Sequence, residues 1–231
     1  MKFFAFGDSV IKGVVLRDGK YNLLPQGFFE QCAEELGVEA SNFGRFGCTI
    51  TQGTTYFERQ KSIISESDHI FFEYGGNDCD YPWKKVAEDI SYPKICVTPM
   101  DVFHKLYQQM IVSSRNLGAL PVLLSLPPLI SGRFYNHVTR DFTSEEKDNV
   151  LTWLGGDTYF ITQWHEHYNL AVFSLAQEMD VPVIDITTPF LVRNNVSDYI
   201  CPDGIHPNER GHSLIKEAVM AWLKTNLVRT Q

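Results

Sequence analysis

The chain has 231 residues, 44% of them hydrophobic and 21% charged, with a formal net charge of −8. A chain of this length can bury roughly 70% of its unfolded surface, and an acidic balance without runs of Lys or Arg leaves no footprint for nucleic acid as a partner. No apolar run approaches the roughly 18 residues of a membrane span, and Gly7-Asp8 cuts the apolar start too early for a signal peptide, so a cytoplasmic location is expected.

In chain order, short apolar runs alternate with helix-like stretches. A strand is predicted at residues 3–6, a helix at 25–36, a strand at 39–43, a helix at 51–64 and a strand at 69–74. A helix follows at 99–117, a strand at 121–126, a helix at 158–179, a strand at 181–186 and a last helix at 207–227. Thr98-Pro99-Met100-Asp101 punctuates a start, and Leu36-Gly37 and Leu117-Gly118 punctuate ends. The alternation predicts one α/β domain over residues 1–231: a three-layer α/β/α sandwich around a five-stranded parallel sheet. Two long connections, at about 77–97 and 127–157, are read as insertions near the ligand-binding edge, the second with a short helix near 145–154.

In such sheets ligands bind beyond the carboxyl ends of the strands, which directs attention to the residues there. Gly7-Asp8-Ser9 follows the first strand directly, so its hydroxyl would be exposed at the sheet edge as in other nucleophile turns; by itself, without further motifs, Ser9 reads as a turn residue. Near the other end, Asp203-Gly204-Ile205-His206-Pro207 places a carboxylate three residues before an imidazole. A compact turn would let Asp203 hold one ring nitrogen of His206 while the other faces a hydroxyl; the alternative is a helix N-cap beside an exposed histidine.

Gly7 to Gly13, Asn42 to Thr49, Gly75-Gly76-Asn77-Asp78 and Asp203 to Pro207 together resemble the four signature blocks of the SGNH hydrolase superfamily, the GDSL esterases and lipases, in order and in approximate spacing. The resemblance implies a flavodoxin-like sheet and metal-free, cofactor-free hydrolysis of a small-molecule acyl ester. Carried over residue by residue, it makes Ser9 the nucleophile, His206 the general base and Asp203 its partner. The backbone N–H groups of Ser9 and Gly47 and the Asn77 side-chain amide become the oxyanion hole; Gly44, close by in the second block, is the competing glycine. Val10 stands where the family's name expects leucine. Short or acetyl acyl groups are the expected substrates. Acyl transfer to another acceptor through the same residues, or a non-catalytic module binding an acylated or glycan ligand, are the alternatives.

Five scattered cysteines without CxxC spacing predict reduced thiols. His165 and His167, two apart on a predicted helix, point to different faces and predict no metal site. Asp8 and Asp78 are expected to brace their turns, and His212 to be structural. Tyr81, Trp83 and Tyr92, with Trp153 and Trp164, are expected either to wall a substrate pocket or to form small cores of the insertions, with Tyr81 and Trp83 as the substrate-binding candidates.

Overall fold

The computed structural model describes residues 1–227. Its centre is a five-stranded parallel sheet made of β1 (Phe3–Gly7), β4 (Ala40–Asn42), β5 (His69–Glu73), β6 (Leu120–Leu124) and β7 (Val183–Ile184), in the order β4-β1-β5-β6-β7. The sheet reverses direction of growth at β1, the kind of switch point where doubly wound sheets leave a crevice for ligands.

Both faces of the sheet are covered because its strands carry apolar side chains on both sides. In β1, Phe4 and Phe6 point into one cluster while Phe3 and Ala5 point into the other; in β5, Ile70 and Phe72 oppose Phe71 in the same way. The first cluster is closed by α3 (Ile50–Gln60), α5 (Met100–Asn116) and α8 (Tyr159–Glu178), the second by α2 (Phe28–Leu36), α9 (Thr188–Leu191) and α10 (Glu209–Leu227). Helix α5 shows why such a segment packs as it does: Phe103, Tyr107, Met110, Ile111 and Ser114 recur at helical spacing and are buried.

All five predicted strands are present, with β4 and β7 shorter than expected. The last helix begins at Glu209 rather than at Pro207, which instead forms an isolated antiparallel bridge with Ile200. Several elements were not anticipated, α9 among them. Ser9–Lys12 forms a one-turn helix, α1. Val14–Arg17 and Lys20–Leu23 form an antiparallel hairpin, β2–β3, turned by Asp18-Gly19 with both φ angles positive. The connection 77–97 contains α4 (Trp83–Glu88), and 127–157 contains α6 (Ser131–Val138) besides the expected helix, α7 (Ser144–Leu154). All five cysteines are buried and free. No helix among the described residues is long and apolar enough to cross a membrane.

Candidate active site

Ser9 opens α1 immediately beyond β1. Asp8 caps that turn, its Oδ1 accepting from the Val10 N–H at 2.8 Å. Ser9 is nearly buried, and its backbone N–H belongs to the open first turn of a helix, where donors have no intrahelical acceptor.

Asp203 and His206 occupy the turn before α10. Gly204 takes φ +82° there, and a Cβ on it would lie 2.5 Å from the Phe134 backbone nitrogen, so neither the conformation nor the space admits another residue. The turn brings Asp203 Oδ2 to 2.6 Å from His206 Nδ1, while Asp203 Oδ1 accepts from the backbone N–H groups of Ile205 and His206, both at 3.2 Å. His206 Nε2 then lies 2.9 Å from Ser9 Oγ, linking residues 197 positions apart. A carboxylate beside Nδ1 accepts a hydrogen bond from an N–H there, which leaves Nε2 as the acceptor facing the hydroxyl. Burial alone would raise the Asp203 carboxyl. The hydrogen bond and charge of His206, with the two backbone donors, outweigh it and hold the group below its ordinary value, so Asp203 is charged at neutral pH.

Two further loops face Ser9. Gly47 has φ +67° in the loop after β4 and lines the cleft, and its N–H has no hydrogen-bond partner among the described residues. Gly44 does not line the cleft, and its N–H is already engaged, donating to Asn42 Oδ1 at 2.8 Å. Asn77, in the loop after β5, lines the cleft too and donates from Nδ2 to Asp8 Oδ2 at 2.8 Å, which leaves its second amide hydrogen available. Asp78 braces the same region by accepting from the Ile50 N–H at the start of α3, at 2.9 and 3.2 Å. Burial pushes its carboxyl up to about 7.

The cleft encloses about 850 Å³ with its open mouth included. Its lining combines Ser9, Gly47, Asn77 and His206 with an apolar set, Tyr81, Trp83, Phe134, Ile161 and Trp164. Asp203 stands behind His206 and does not line it. Tyr81 and Trp83 have two kinds of contact. They wall the cleft, and they pack with Trp153 behind it at ring-centroid distances of 5.0 and 6.2 Å. Trp83 Nε1 donates to Asp80 Oδ1 at 2.7 Å, and burial raises the Asp80 carboxyl to about 6. His165 lines the cleft as well, and no group of three or more His, Cys, Asp or Glu side chains gathers in metal-binding geometry among the described residues.

Three contributors were missed from sequence. Tyr21, on the β2–β3 hairpin, sits edge-on to the His206 ring at 5.3 Å, and its hydroxyl is 2.8 Å from His137 Nε2 on α6. Phe46, beside Gly47, stacks on His206 at 5.9 Å and 11°, and meets Tyr21 at 4.8 Å. Together they roof the imidazole. The Asp-Gly pair between alternating apolar residues was the available signal for the hairpin. The third is Glu73, the last residue of β5, fully buried against Asp8.

A search of curated proteins by sequence found no match. Among solved structures, a member of the lipolytic G-D-S-L family from Veillonella parvula is similar at 18% identity and TM-score 0.63, over 96% of this chain and 97% of that one. A lipase/acylhydrolase from Enterococcus faecalis is similar at 17% identity and TM-score 0.63, over 97% and 95%. Axe2, an acetylxylan esterase from Geobacillus stearothermophilus, is similar at 19% identity and TM-score 0.62, over 95% and 92%. At these identities the likeness bears on the fold, which in all three cases extends over nearly the whole chain. The family model of the GDSL-like lipases and acylhydrolases matches residues 5–214, and the chain therefore belongs to that family of carboxylic ester hydrolases.

Proposed function

We propose that this protein is a serine esterase that removes short acyl groups, acetyl foremost, through Ser9, His206 and Asp203, with residues 1–231 acting as one catalytic domain. The observation that carries the reading is the continuous chain of contacts from Ser9 Oγ to His206 Nε2 at 2.9 Å and from His206 Nδ1 to Asp203 at 2.6 Å, opening into a cleft.

The chemistry follows from those contacts. Ser9 Oγ attacks the ester carbonyl carbon as its proton passes to His206 Nε2, and Asp203 stabilises the imidazolium that forms. The carbonyl oxygen, now an anion, receives hydrogen bonds from the Ser9 and Gly47 N–H groups and from the Asn77 amide. Collapse of this intermediate breaks the bond to the alcohol, which leaves with the proton from His206. A water molecule, deprotonated by the same imidazole, then attacks the acyl-serine and releases the acid and the free serine. The roof of Tyr21 and Phe46 limits water around His206, so its contacts to Ser9 and Asp203 act in a lower dielectric than at an open surface.

The acetyl preference rests on the likeness to Axe2, an acetylxylan esterase. The half-exposed rings of Tyr21 and Phe46 at the cleft mouth also support a ring-shaped alcohol such as a sugar, which stacks on aromatic faces. Wild type and Ser9→Ala are to be assayed on activated esters from acetyl to long-chain acyl and on acetylated sugars. Rapid wild-type turnover confined to short acyl groups, and lost in Ser9→Ala, supports the reading. Equal rates in the two proteins would eliminate the serine mechanism, and a preference for long chains would eliminate the short-acyl part.

A further inference from the structure

The carboxyl groups of Asp8 and Glu73 lie within hydrogen-bond reach of each other, Asp8 being the residue that precedes Ser9. Gly7 and Glu73 are register partners on the adjacent strands β1 and β5, so the residue after Gly7 and the side chain of Glu73 meet at the sheet edge. Asp8 is 3% exposed and Glu73 is 1% exposed, and among the described residues no Lys or Arg forms an ion pair with either. Two bare carboxylates in contact, out of water and without a counter-cation, would repel strongly, so a proton must be held between them.

The hydrogen bonds indicate which group carries it. Asp8 accepts from the Val10 N–H and from the Asn77 amide, both at 2.8 Å, and donors of this kind favour a charged carboxylate. Glu73 accepts only from the Asp8 backbone N–H, and its Oε2 has no donor at all. A proton on Glu73, directed at Asp8, provides that oxygen's missing hydrogen bond. The other groups around the pair do not supply a cation at this contact. Asp78 adds negative charge from the loop after β5, Tyr107 of α5 contributes a neutral phenol, Cys48 a thiol raised by burial to about 12, and His206, whose hydrogen bonds go to Ser9 and Asp203, acts on Asp8 only through its field. Desolvation first, and the Asp8 charge second, push the Glu73 carboxyl well above its ordinary range.

We propose that Glu73 is a positioning residue: it carries a proton that it donates to Asp8, and the carboxylate thereby kept on Asp8 holds the Asn77 amide with its nitrogen, not its oxygen, toward the nucleophile turn. The consequence lies in what Asn77 can present. A carboxylate is an acceptor only, so it selects the NH₂ end of the amide; one N–H points at Asp8 and the second is left for the substrate oxyanion. If Asp8 instead carried the proton, its O–H would attract the Asn77 carbonyl oxygen, and the amide would turn an acceptor toward a developing anion. This inference rests on the proposed esterase reading for its kinetic arm only.

The test uses Glu73→Leu, Glu73→Gln and difference infrared spectroscopy. Glu73→Leu is expected to lower kcat by about tenfold or more with KM changed by less than about twofold, because the loss falls on the oxyanion rather than on substrate binding. Glu73→Gln, whose amide N–H still donates to Asp8 and never ionises, is expected to recover most of that loss. The wild-type-minus-Glu73→Gln infrared difference at neutral pH is expected to show a protonated-carboxyl C=O band, readable whether or not Glu73→Leu folds. In a spectrum of labelled Asn77, the side-chain N–H pair is expected to show one proton strongly shifted by its carboxylate acceptor. Absence of the infrared band, wild-type kcat in Glu73→Leu, or equal losses in the Leu and Gln variants would each overturn the proposal. Should the wild type hydrolyse no ester, the esterase reading fails, while the infrared and amide signals still decide this one.

Discussion

The polar and the apolar residues that line the cleft are held by different means. In the polar set, with Ser9 and His206, each reactive group sits in a tight turn at a strand or helix end, and its orientation is fixed by hydrogen bonds to near neighbours in sequence: Asp8 to Val10, Asp203 to Ile205 and His206. In the apolar set, Tyr81, Trp83, Phe134 and Trp164 come from three separate stretches and are held by ring packing, Tyr81 and Trp83 on Trp153, Phe134 on Trp83 and Trp164 on Phe160, with Trp153 Nε1 anchored to the Tyr92 carbonyl at 2.7 Å. The first set concentrates chemistry in a few polar atoms. The second spreads stability over many apolar contacts, so substitutions in the two sets should fail in different ways.

The sharpest separation is expected from His206→Ala. It removes a base without opening the aromatic wall, and kcat should fall by about ten-thousandfold or more while the urea midpoint shifts little. Trp153→Ala should do the reverse: about 3–5 kcal/mol of stability lost in urea unfolding, with the properly folded fraction retaining a working Ser9. A Trp153→Ala protein with unaltered stability would break the comparison. Asn77→Ala should lower kcat by about 100-fold to 1,000-fold with a small change in KM, measured under saturating ester.

A pH experiment sharpens it further. His212 is stacked on Phe28, with neither ring nitrogen hydrogen-bonded, and burial lowers its pKa to about 4. The unfolded chain takes up that proton near the ordinary value of 6.5, so between the two the unfolded state binds more protons and stability falls as pH falls. Relative to His212→Gln, the wild type should lose about 3 kcal/mol between pH 7.5 and 4. Buried Asp78 and Asp80 tilt the absolute curve the other way, because their raised carboxyls favour the folded state as pH falls; the difference between the two proteins isolates His212. The smallest effect is expected for Tyr21→Phe, which removes the half-exposed hydroxyl contact to His137 but keeps the ring over His206. Stability should drop by less than about 1 kcal/mol and kcat/KM by less than about fivefold.

The same division explains what could be read from the sequence. The sheet was legible because both faces of β1 and β5 are apolar, which gives unbroken runs such as Phe3 to Phe6. The meeting of Ser9, His206 and Asp203 was legible because these residues come in short contiguous blocks whose local turns fix their geometry. The partnership of Asp8 with Glu73 and the roof of Tyr21 and Phe46 were not, since each joins residues distant in sequence through contacts that only the folded chain creates. Helix α6 was missed for a related reason. Ser131–Val138 buries only Phe134 and lacks a capping side chain, so it is maintained by its neighbours more than by its own sequence.

That helix governs more than its own place in the chain. Arg133 of α6 donates to the backbone carbonyls of Ser197 and Ile200 at 2.9 Å, and the Ile130 N–H just before it donates to the Gly204 carbonyl at 2.8 Å. Imidazole and carboxylate therefore travel as one rigid cassette clipped to a scaffold outside the sheet, whereas the serine rides on the sheet itself. Mild warming that loosens the clip should silence turnover while the bulk of the molecule is still folded, since the cassette is held by hydrogen bonds to α6 and not by the sheet.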